Sequence, residues 1–150
     1  MLSREGHWHG YGAWVGSGKE YGREGLRRPG RHPGDEQTRA FLASPLPPMM
    51  VGHWLLRRDQ TAAERTWTRA VDAVSWLKGI YRENLPLDRE DGRTAYCGLH
   101  VKTAYALDAL PRGVDVTWAY WMTSGSLTSY SVVACPNRPH PDIACPLPPD

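Results

Sequence analysis

The chain lacks several things that would narrow its class at once. No stretch of its 150 residues holds the roughly 18 apolar residues needed to span a bilayer. The longest apolar run, residues 47–56, is broken by Gly52 and His53, so no membrane association is expected. The first eight residues hold neither an apolar core nor a small-residue cleavage site, which argues against a secretory signal. There is little cysteine: Cys97, Cys135 and Cys145 cannot all pair internally. A reducing, cytoplasmic setting is the simplest reading of that count. Charge of one sign is also scarce. A net charge of +2 is too mild to argue for nucleic acid by itself.

Glycine and proline are abundant, at 15 and 13 residues. Nine of the glycines fall within residues 1–34, interleaved with Trp8, Tyr11, Trp14 and Tyr21. Ordering so many glycines costs backbone entropy, so residues 1–48 are expected to be a flexible, mildly basic arm and linker. Residues 1–60 carry nine Lys/Arg against six Asp/Glu, a local excess of +3. Residues 49–135 then form a single α+β domain, and 136–150 a proline-rich tail. Met49 and Met50 offer alternative start codons, which would make residues 1–48 a gene-calling artefact.

Within the arm, residues 35–43 read as a short helix capped by Asp35. Residues 49–56 read as a buried strand, with a short helix as the alternative. Residues 61–84 carry the clearest pattern. Thr61 and Glu64 have capping-box spacing, and Ala63, Trp67, Ala70, Val74, Leu77 and Tyr81 recur at intervals of four and three. Residues 94–110 read as a second helix, apolar on two faces and so buried on most sides. Residues 114–122 alternate, with Val116, Trp118, Tyr120 and Met122 on one face. A turn at 123–126 returns the chain through 127–134, which sets Trp118 opposite Ser131 and Tyr120 opposite Ser129. The expected fold is α+β: a small antiparallel sheet, from this hairpin and residues 49–56, packed on two helices.

Three sets of residues could carry chemistry. The first is a metal set. Cys97 and His100 are one helical turn apart, and Cys135, His140 and Cys145 follow with four residues between each. Zinc takes four thiolate or imidazole ligands, and this set supplies five candidates. The C-x4-H-x4-C spacing resembles the second half of a zinc knuckle, whose first cysteine would fall at Val132. Against this stands the plainer reading that Cys97 is a buried small apolar residue. His7-Trp8-His9 offers a loose copper or zinc ligand pair, as any flexible His-rich start would.

The second is a thiol nucleophile. Helix N-terminal amides favour a thiolate at Cys97. Tyr96-Cys97-Gly98-Leu99 opening a helix ahead of an antiparallel hairpin is similar in outline to papain-like thiol hydrolases. That resemblance covers residues 94–135 and implies a hydrolase or transferase. Such enzymes place a histidine at the start of a following strand, where this chain has Ser129 and Tyr130, leaving His140 as the base. A zinc-deaminase reading fails because Lys102 stands where the glutamate of H-x-E belongs. A phosphate-loop reading of residues 16–20 fails because Ala13 and Glu20 hold the required glycine and Ser/Thr positions.

The third set is for partners. Trp118, Tyr120, Trp121 and Tyr130 are candidates for meeting a protein partner, and equally for the core, since one sheet face must pack on the helices. Arg27, Arg28 and Arg31, among the aromatics of the arm, are candidates for touching nucleic-acid phosphates. The leading reading is a small intracellular binding or accessory protein rather than an enzyme. A papain-like thiol enzyme using Cys97 with His140 is one alternative, and a nucleic-acid binder with a Cys/His zinc site is another.

Overall fold

His7–Gly16 forms β1, a strand in the middle of the sheet, where the sequence predicts a loose arm. The computed structural model describes residues 6–87 and 98–149. Four strands run in the order β2 (Thr66–Trp67), β1, β4 (Leu127–Cys135), β3 (Val116–Trp121), every pair antiparallel. The α+β class expected from the sequence therefore stands, but its central pairing is β1 with β4.

The energetics explain why a glycine-rich segment is ordered here. Trp8, Tyr11 and Trp14 are all buried. Each such ring removes on the order of 150–250 Å² from water, at most about 4–6 kcal/mol at ~25 cal/mol/Å². The extra cost of glycine in a strand is only about 0.5–1 kcal/mol per residue. Two glycines are also needed where they stand. A Cβ on Gly10 would lie 2.7 Å from the Trp67 ring and 3.1 Å from the Trp76 ring. Gly12 has φ +95°, at the register shift between Tyr11 and Trp14.

One sheet face is covered by α3 (Ala70–Glu83) and α4 (Leu99–Ala109). Val74, Leu77 and Tyr81 of the predicted periodic stripe pack there on Trp118, Tyr120, Tyr130 and Val132. The helix is shorter than residues 61–84. Its predicted first turns are instead a single 3-10 turn, Ala63–Arg65, and β2, and the Thr61 hydroxyl is hydrogen-bonded to the Tyr11 hydroxyl at 2.7 Å. The capping box that does form is Ser17–Glu20, at the start of α1 (Gly18–Tyr21). The α4 helix buries a narrow stripe through Ala106 and Ala109, whereas Val101, Tyr105 and Leu107 are exposed. The expectation of burial on most sides is thus corrected. The start predicted for that helix, with Cys97, lies outside the described residues.

The hairpin forms as predicted, but one residue out of register. Trp118 faces Tyr130 and Tyr120 faces Thr128. Met122 donates its N–H to the Ser126 carbonyl, so the loop is the three residues 123–125, with Gly125 at φ +88°. Moving the turn by one residue changes which β4 face each side chain joins.

The other sheet face is covered by irregular chain. Residues 49–56 are not a strand: Val51–Leu56 is a 3-10 helix that buries Trp54 and Leu55 against Tyr11 and Val133. Before it, α2 (Glu36–Ala43) matches the short helix expected, with Asp35 at its N-cap position. The Asp35 side chain makes no cap bond and accepts from the His32 amide instead. Two buried arginines lace this layer together. Arg57, 1% exposed, donates to the carbonyls of Phe41, Leu46 and Leu26, with its guanidinium over the Phe41 ring. Burial lowers its pKa to about 10, so it stays charged near neutrality. Arg27 donates to the carbonyls of Pro47 and Tyr21 and lies 3.8 Å from the centre of the Tyr21 ring. None of the described helices is long and apolar enough to cross a membrane.

Candidate metal centre

On β1, His7, His9 and Tyr11 project to the irregular face, two residues apart. The register sets His7 opposite Cys135 on β4 and His9 opposite Thr66 on β2. The chain beyond Cys135 turns back and brings Cys145 to the same point. Nitrogen atoms of His7 and His9 and the sulfurs of Cys135 and Cys145 all lie within 4.8 Å of one another. His7 Nε2 is 3.2 Å from Cys145 Sγ, and His9 Nε2 is 3.8 Å from it. A tetrahedron with zinc bonds of about 2.0–2.3 Å has edges of roughly 3.3–3.8 Å, so the donors are already near ligand spacing.

Thr66 decides which nitrogen of His9 faces the cluster. Its hydroxyl donates its one proton to the Ala62 carbonyl at 2.8 Å. The contact of 2.8 Å between Thr66 Oγ1 and His9 Nδ1 therefore has the histidine as donor. Nδ1 carries the proton, and Nε2 presents a bare lone pair to the sulfurs. A hydrogen bond on the far nitrogen is the usual support for a metal-binding histidine. The Asp115 carboxylate braces the other side. It accepts from the Ala134 amide at 2.8 Å and from Asn137 Nδ2 at 3.0 Å, on either side of Cys135. Burial raises the Asp115 pKa, partly offset by those hydrogen bonds.

Burial favours the neutral imidazoles and the neutral Cys135 thiol. Burial, and then the neighbouring His7, pushes His9 down to about 4. Burial lowers His7 as well. The Cys135 thiol is pushed well up, first by burial and then by Cys145. A bound cation reverses that last effect and holds both sulfurs as thiolates.

Of the five metal candidates read from the sequence, Cys135 and Cys145 are brought together. His140 is not in the cluster. Its ring lies 4.7 Å from that of His53, on the 3-10 helix, because Pro139 and Pro141 flank it in a turn that carries it to that segment. His100 is exposed on α4, and Cys97 lies outside the described residues. The pairing of Cys97 with His140 as nucleophile and base consequently gains nothing from the described residues. His7 and His9 complete the cluster with Cys135 and Cys145. The signal for them was present as a His-x-His pair, which period-two geometry places on one face of a strand. Thr66 had no signal of its own, since its role depends on strand pairing.

The partner candidates divide. Trp118, Tyr120 and Tyr130 are at most 3% exposed and belong to the main core, so of the two readings open to these rings, partner contact or core, the structure places them in the core. Trp121, on the edge strand beside Gly18, is 48% exposed. Arg27 is committed to backbone carbonyls, Arg28 is exposed beside Glu24 at 4.0 Å, and Arg31 is exposed. They form no shared phosphate-facing row with Arg27, whose head points inward. No family model matches the chain, and no curated protein or solved structure matches it.

Proposed function

We propose that this chain is a zinc-binding protein in which His7, His9, Cys135 and Cys145 form a Cys2His2 centre that fastens the proline-rich C-terminal segment to the sheet. The observation that carries this reading is the convergence of four soft or borderline donors within 4.8 Å, from three separate parts of the chain. Two sulfurs and two imidazoles within 4.8 Å of one another favour zinc over the oxygen-seeking calcium and magnesium. The protein fills all four positions, which is the arrangement of a structural site rather than a catalytic one. A structural centre is compatible with the binding or accessory role expected from the sequence. Trp121 is the ring through which a protein partner would be met.

Protein purified without chelator is expected to carry close to one zinc per chain. Cys135→Ser, Cys145→Ser and His9→Ala should each weaken zinc binding by roughly 100-fold or more, and Thr66→Val by about 10–100-fold. His140→Ala and His100→Ala should leave it unchanged. Zinc-free protein, or wild-type affinity in Cys145→Ser, contradicts the reading.

A further inference from the structure

The two sulfur ligands differ in access. Cys135 is 3% exposed and ends a strand that is buried along its whole length. Cys145 is half-buried, within residues 136–149, which form no helix or strand. Both line a cavity of about 350 Å³ whose walls include His7, Pro136 and Ile143, together with the exposed Pro141 and Asp142. That space admits a molecule several times the size of water, whose share of liquid volume is about 30 Å³. The two sulfurs lie within 4.8 Å of each other. Closing that gap to a disulfide bond of about 2.05 Å asks for roughly 2–3 Å of movement, in a segment with no ladder of backbone hydrogen bonds to break.

We propose that Cys145 is a site of oxidation by hydroperoxides, with Cys135 as its resolving partner, so that oxidation discharges the metal and unties the C-terminal segment from β1. This inference rests on the zinc reading above. The Cys145 thiolate attacks the outer oxygen of the hydroperoxide. The O–O bond breaks, the alkoxide leaves and takes a proton to become an alcohol (water, for hydrogen peroxide), and Cys145 becomes a sulfenic acid. The Cys135 thiolate then attacks that sulfur. The S–O bond breaks, hydroxide leaves and takes a proton to become water, and the S–S bond forms. Two electrons pass from the sulfurs to the peroxide, and the zinc leaves unchanged in oxidation state. The new disulfide keeps Cys145 beside the end of β4. What is lost is the link to His7 and His9.

The test uses zinc-loaded Cys97→Ser protein, in which Cys135 and Cys145 are the remaining thiols. Hydrogen peroxide is added, and zinc release is followed with an indicator dye alongside thiol titration. The expected result is one equivalent of zinc released in step with loss of both thiols, reversed by a dithiol reductant and added zinc. In the same background, Cys135→Ser should trap dimedone at Cys145, while Cys145→Ser should label Cys135 roughly tenfold more slowly or not at all. The zinc-release measurement stands whether or not either variant folds. Zinc retained with both thiols intact, or faster labelling of Cys135 than of Cys145, overturns this inference and leaves the metal centre standing. Protein that never held zinc overturns both.

Discussion

The two faces of the sheet are held by different physics. On one, α3 and α4 press a continuous apolar stripe onto Trp118, Tyr120, Tyr130 and Val132. On the other, irregular chain is fixed by smaller apolar clusters, two buried arginines bonded to backbone carbonyls, and the His/Cys cluster. Regular elements satisfy their own backbone groups, so a helix needs only a greasy side. An irregular segment cannot, so its buried carbonyls must be met by side-chain donors. Arg57, Arg27 and Gln60 do this for the carbonyls of Leu46, Pro47 and Ser44.

The comparison can be broken most severely from the N-terminal side. A chain beginning at Met49 lacks β1, the strand between β2 and β4. It should show no cooperative thermal transition, and a sharp transition in that variant would contradict the placement of β1. Next in size are paired substitutions, one on each face. Arg57→Met takes the side-chain donor from the Leu46 and Leu26 carbonyls, while Phe41 keeps the Ser44 amide; at about 1–3 kcal/mol for each carbonyl left unpaired, it should cost roughly 2–5 kcal/mol in denaturant unfolding. Leu77→Met keeps volume in the helical core and should cost under about 1.5 kcal/mol. Equal effects would erase the distinction between the faces.

How much of this was legible follows the same divide. The stripe Val74, Leu77 and Tyr81 and the alternation Val116, Trp118, Tyr120 are local patterns, and both appear in the structure. The hairpin register was out by one because Gly125, not the centre of residues 123–126, takes the left-handed position. Strand β1 was hidden because glycine content argues locally for disorder. The rings of Trp67 and Trp76, which need Gly10 to be bare, come from residues more than fifty positions away. The His/Cys cluster is half legible for the same reason. Cys135 and Cys145 announce themselves by spacing, but only the pairing of β1 with β4 sets His7 opposite Cys135.

Smaller effects sharpen the picture. Chelation of zinc-loaded protein should speed amide exchange in residues 136–149 and at the start of β1, and leave α3 protected; uniform loss of protection would mean that the metal supports the whole fold. In metal-free protein, acid should act through the histidines His7, His9 and His53, whose pKa values burial lowers, and most through His9. Its folded pKa of about 4 lies below the ordinary 6.5, so its contribution to stability is present above pH 6.5 and lost as pH falls toward 4. His9→Gln should flatten the pH dependence of the melting temperature in that window. Trp121→Ala, on an exposed ring, should change stability by less than about 0.5 kcal/mol, against about 3–5 kcal/mol for Trp118→Ala in the core.

Cobalt substitution tests the centre most directly, because the visible spectrum of Co²⁺ reports both coordination geometry and thiolate ligation. The account predicts intense tetrahedral d–d bands with a sulfur-to-cobalt charge-transfer band, one equivalent at saturation, and loss of the charge-transfer band in the Cys135→Ser/Cys145→Ser double variant. A weak octahedral spectrum, or one that survives removal of both cysteines, would contradict it.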